Sequence, residues 1–163
     1  MYKLLTVSLL LITICSRAQS DHPLDAKTLQ NDSVILGQII QPALQTARAQ
    51  HQEPDWKILR TSIVTRYEAR YGDRNVTKAK IYFFYGTDWT QFCAAIVQYT
   101  NAYEYKDDFK VMNGNAKMIL QHSQNPAEWK AAQSWVKHAV DKLPAEEKYK
   151  TTYDALTAKI NGQ

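Results

Sequence analysis

Cys93, four histidines and two acidic pairs are the residues of this 163-residue chain whose types suit chemistry. A catalytic thiol needs a base beside it or a lowered pKa. Cys93 stands between Phe92 and Ile96 in an apolar stripe, away from any expected helix N-terminus. It reads as a small buried hydrophobe. A helical zinc site wants two histidines four apart or a dense ligand cluster. His22, His51, His122 and His138 offer neither. His51 and His122 fall near expected helix ends, where the dipole favours a cation. Asp107-Asp108 precedes one expected helix and Glu146-Glu147 opens another, so both pairs read as caps and dipole partners. No phosphate-binding glycine loop, Gly-x-Ser-x-Gly elbow or calcium loop is present. The expectation is a chain with no catalytic, cofactor-binding or metal-binding residues.

The aromatic residues leave more room for a role. They make up 11% of the chain, and most fit apolar stripes. Tyr82, Tyr85, Tyr103 and Tyr105 cannot all point inward on short helices. With Trp89 they form a candidate interaction surface, since Tyr and Trp are enriched where proteins meet.

The first eighteen residues read as an export signal. Lys3 gives a positive start, Leu4 to Ile14 is an apolar run of eleven residues, and Ser16 and Ala18 place small residues at −3 and −1 of a cut after Ala18. That run is too short to span a bilayer, which takes about 20 apolar residues. Cys15 also fits a bacterial lipoprotein signal, except that Ile14 before it is not small. The expected location is the periplasm or the cell exterior, with no transmembrane segment in the mature chain. Cleavage removes Lys3 and Arg17, lowering the net charge from +4 to +2. The remaining positive charge is dispersed, which argues against nucleic acid as a partner. Cleavage also removes Cys15, leaving Cys93 without an intrachain disulfide partner.

What must position these residues is a series of helices. Residues 19–31 are polar and read as a flexible lead-in, and residues 32–163 as one α-helical domain. Asp32 or Ser33 is expected to cap a first helix that Pro42 kinks or restarts. Trp56, Leu59, Ile63, Tyr67 and Tyr71 recur every three or four residues and predict one helix, closed by Gly72. Val76 to Tyr85 contains Ile81-Tyr82-Phe83-Phe84-Tyr85, which has β propensity, but its neighbours are helical and no partner strand is visible. A helix is favoured there. Asp88 with Gln91 resembles a capping box, and Phe92, Cys93, Ile96 and Tyr99 follow as a stripe. A further helix runs from about Asp108 to His122. Asn125-Pro126-Ala127-Glu128 combines a good N-cap, a first-turn proline and a third-position acid. Pro144 is expected to start the last helix. Asn31-Asp32-Ser33 and Asn75-Val76-Thr77 match glycosylation sequons and are read here as helix-start chemistry. The fold class is all-α: six or seven short antiparallel helices packed as hairpins.

Two stretches carry a resemblance. One holds Asp55-Trp56, Tyr67-Glu68-x-x-Tyr71-Gly72, Lys78-Ala79-Lys80-Ile81-Tyr82 and Asp88-Trp89-x-x-Phe92-Cys93. The other holds Asn115-Ala116, Trp135-x-x-x-Ala139 and Tyr153-Asp154-Ala155-Leu156. Together they resemble the helical C-terminal extension of secreted bacterial thioredoxin-family proteins, which is similar to tetratricopeptide-type hairpins. Ala131, Trp135, Ala139 and Pro144 follow the second helix of such a repeat, whereas His138 takes a position that normally holds a small residue. A thioredoxin domain needs a Cys-x-x-Cys pair, which is missing, so the redox activity of that family does not carry over.

These features point to an exported, non-catalytic helical protein that binds a protein or peptide. Two other roles fit the same chain. One is an accessory part in thiol-disulfide chemistry, and the other is carriage of a small apolar ligand between helices.

Overall fold

A computed structural model describes residues 23–162, and the elements it contains are helical. α1 spans Ala26–Ile35, passes through a π-helical turn at Leu36–Ile40 and continues as α2, Gln41–Ala49. There follow α3 (Trp56–Val64), α4 (Ala69–Phe84), α5 (Trp89–Tyr103), α6 (Phe109–His122), α7 (Pro126–Lys142) and α8 (Glu147–Asn161). From α3 onward, consecutive helices pack on one another as hairpins. The all-α class is therefore the observed one. The export signal, Cys15 and His22 lie outside the described residues.

Local chemistry explains most helix starts. Asp55, Asp88, Asp108 and Asn125 each accept a backbone N–H of the first turn that follows, filling donors that have no partner inside the helix. The Ile81–Tyr85 stretch is helical through Phe84, with Tyr85 as the C-cap. Ile81, Phe83 and Phe84 pack against the interior, whereas Tyr82 and Tyr85 face solvent.

Four expectations about boundaries are corrected. The first helix begins at Ala26, capped by Asp25, whose carboxylate accepts the Thr28 N–H at 2.7 Å. Asp32 and Ser33 lie inside it. The expectation at Pro42 holds: it stands in the first turn of α2, where the helix restarts. The π-helical turn precedes it, and Gln41 N–H reaches back to the Leu36 carbonyl. That wider turn absorbs the clash and the missing donor that a proline brings.

The long helix expected from Trp56 to Tyr71 is two helices. α3 ends at Val64 and Glu68 turns into extended backbone before α4. Thr61, Ser62 and Thr65 each donate a hydroxyl to the carbonyl four residues back, a bond that loads and bends a helix end. Gly72 is no cap; it lies within α4 and is buried. A Cβ there would sit 2.6 Å from Val64 Cγ1, so its absence is what lets α4 close on α3. Finally, α8 starts at Glu147, with Pro144 in the turn before it.

The interior has two parts. Ile35, Ile40, Leu44, Leu59, Ile63, Tyr71 and Ala79 form one, among α1 to α4. Phe92, Cys93, Met112, Ile119, Trp129, Trp135, Val136 and Leu156 are among those forming the other, among α5 to α8. Trp56 and Phe83 pack against both, 5.8 Å apart edge to face. Each fully buried Ile or Leu contributes about 1.5–3 kcal/mol by leaving water.

Polar residues also tie α1 to α4. Asn75 is buried and donates to Asp32 and to the Tyr71 carbonyl, and Asn31 donates to the Tyr71 hydroxyl at 2.8 Å. Both sequon asparagines are therefore mid-helix packing residues, not the helix starts expected.

Candidate functional site

The five aromatic residues singled out above do not share one patch. Trp89 opens α5 and Tyr103 ends it, which at 1.5 Å per residue puts them about 20 Å apart. Tyr85 and Trp89 do meet. Their rings pack edge to face with centroids 5.7 Å apart, and both lean on the buried Phe92. Tyr82 lies one helical turn before Tyr85. Tyr82 is 41% exposed and Tyr85 60%, which makes them two of the few large apolar side chains facing solvent. Trp89 is half-buried.

The turn between α4 and α5 explains this display. Asp88 caps α5 and fixes where Trp89 leaves the chain. Gly86 takes φ +75°, a left-handed conformation that costs glycine little. The reversal is tight, so Tyr85 and Trp89 come from opposite sides of it and converge.

His122 completes the strip. Its ring lies flat on the Trp89 indole, with centroids 3.6 Å apart and planes 8° apart. On the other side, Tyr82 borders a depression of about 500 Å³ with Leu36, Leu44 and Arg48. Arg48 donates to the Tyr82 carbonyl at 2.7 Å and stacks over Phe83. The strip thus runs from α2 across the end of α4 to the end of α6.

Tyr103 and Tyr105 belong to the opposite end. Tyr103 is half-buried and packs on Tyr99 at 5.5 Å. The Tyr105 hydroxyl donates to Asp107 at 3.2 Å, and the other oxygen of Asp107 lies 2.7 Å from His138 Nε2. The His138 hydrogen bond, followed by burial that opposes it and the Tyr105 bond that assists, holds the Asp107 carboxyl below its ordinary value. Asp107 is therefore not the cap expected of it; Asp108 alone accepts the Val111 N–H. Nearby, burial and the neighbouring Asp108 push the Glu104 carboxyl up, against the pull of Lys78.

The remaining candidates are placed as follows. Cys93 is fully buried, and burial first, then the charge of Glu128, pushes its thiol up to about 11. His51 is exposed at the end of α2, with φ 54°. Glu146 pairs with Lys148, and Glu147 occupies the first turn of α8. Among the described residues, no group of three His, Cys, Asp or Glu converges to hold a metal ion. No described helix is long and apolar enough to cross a membrane.

Two contacts of the site are not evident from sequence. His122 shows only its place near a helix end, because nothing local links it to Trp89. His138 reaches Asp107 across 31 residues of chain, a pairing that nothing local announces. No protein-family model matches the chain, nor does any curated protein or solved structure.

Proposed function

We propose that this chain is an exported, non-catalytic helical module that binds a protein or peptide through the strip Tyr82–Tyr85–Trp89. The observation that carries the reading is the exposure of two tyrosines beside a stacked Trp–His pair. Side chains with apolar bodies and polar tips present large contact area at low entropic cost, as binding sites do. Tyr103 and Tyr105 are left out of the binding surface because they lie at the far end of α5.

Export rests on the N-terminal pattern of Lys3, the Leu4–Ile14 run and Ser16-Arg17-Ala18. The likeness to helical extensions of secreted thioredoxin-family proteins supports the same compartment. Burial of Cys93 weighs against a thiol-exchange role for the folded chain itself.

The test compares the chain with a Tyr82→Ala, Tyr85→Ala variant of unchanged helicity as baits against the envelope fraction. A protein captured by the parent and lost from the variant supports the reading. Equal capture by both removes the strip from it. N-terminal sequencing of the mature protein tests export, with Gln19 as the expected first residue.

A further inference from the structure

We propose that the His122–Trp89 stack makes the aromatic strip acid-responsive: protonated His122 places a cation on the indole face and fixes Trp89 in position. As regulation of binding, this rests on the role proposed above; as a property of the stack, it does not.

The geometry supplies the coupling. Histidine is the side chain that changes charge between about pH 5 and pH 8. A cation within about 6 Å of a ring centroid is drawn to its face, and tryptophan draws it most strongly. His122 sits 3.6 Å away and nearly parallel. It also lies in the last turn of α6, where the helix dipole favours positive charge.

The charged groups around the stack come from each packed element. Glu128 of α7 borders the same depression as His122; its carboxylate accepts the Ser123 hydroxyl and sets a negative charge on that side. Asp88, the residue before Trp89, has its carboxylate engaged at the Gln91 N–H as the cap of α5. Lys159 of α8 opposes Glu128, donating to the Leu120 and Ser123 carbonyls on either side of His122. α4 contributes the neutral ring of Tyr85. The buried Cys93 thiol stays protonated across this range.

Trp89 is also held edge-on by Tyr85 and Phe92. A firmer hold on Trp89 therefore passes to Tyr85, the more exposed tyrosine of the strip.

The experiment follows tryptophan emission of the protein, with no partner present, from pH 8 to pH 5. The parent should lose emission in one sigmoidal step, as the imidazolium quenches the stacked indole. The loss is bounded by the share of Trp89 among the four tryptophans. His122→Phe keeps a stacked ring but cannot take the proton, and the step should vanish. Trp89→Phe keeps the histidine but removes the reporter, and the step should vanish again. A parent with no step, or a step that survives in either variant, overturns the proposal. Because no partner is involved, this failure is distinct from failure of the binding role.

Discussion

Asp32 of α1 and Arg74 of α4 meet at 2.5 Å across 42 residues of chain, with side chains only 7% and 8% exposed. Asn75 donates to the same Asp32 oxygen at 2.8 Å, and the Arg74 guanidinium lies over the Tyr71 ring. The pair pins the first helix to the hairpin that carries Tyr82 and Tyr85. The Arg74 Nε is buried with no hydrogen-bond partner, so the network is not fully satisfied.

Removing one partner leaves the other charge buried and alone. Asp32→Ala should destabilise the protein by about 3–5 kcal/mol in urea unfolding. Replacing both, as Asp32→Leu with Arg74→Met, should cost clearly less, because buried ion pairs gain little over apolar packing. A double variant as unstable as the single one would show that the pair contributes net stability.

Gly72 tests how closely α3 and α4 approach. Gly72→Ala places a methyl against the stiff Val64 side chain and should cost about 1–3 kcal/mol as overpacking. Adding Val64→Ala should recover part of that loss. A neutral Gly72→Ala, measured in the same unfolding assay, contradicts the close contact.

Cys93 gives a prediction in pH. Its thiol is raised from 9.0 to about 11 by burial. That rise reduces the thiolate population about a hundredfold near pH 8. The neutral form is the one the fold accommodates, so the group adds stability below its ordinary value and loses it as pH rises through the folded value. Iodoacetamide at pH 8 should label Cys93 only after unfolding. Rapid labelling of the native protein would make Cys93 a reactive residue again.

The parts of the fold that are legible in the chain are those decided locally. Asp55, Asp88, Asp108 and Asn125 cap helices because capping involves only the next three residues. The start of α1 is hidden because its first turn carries no apolar stripe; only Asp25 marks it. The Trp56–Tyr71 stripe keeps its period across a chain reversal, so periodicity merges α3 with α4. Long-range pairs leave no trace. Asp32 reads as a cap because its partner Arg74 is far along the chain. The site divides the same way. Surplus tyrosines on short helices signal exposed rings, and Tyr82 and Tyr85 are exposed. That Tyr103 and Tyr105 lie elsewhere, and that His122 joins the strip, depends on how α4, α5 and α6 pack.

The binding role of the strip is tested most directly by a photo-reactive residue at position 85 in cells, with one at position 143 as the comparison. Leu143 is also exposed, at 38%, but it caps the far end of α7. A discrete crosslinked species of one mass is expected from position 85, weakened by Tyr82→Ala, and none of that mass from position 143. No crosslink from position 85, or the same species from both positions, would contradict the binding role.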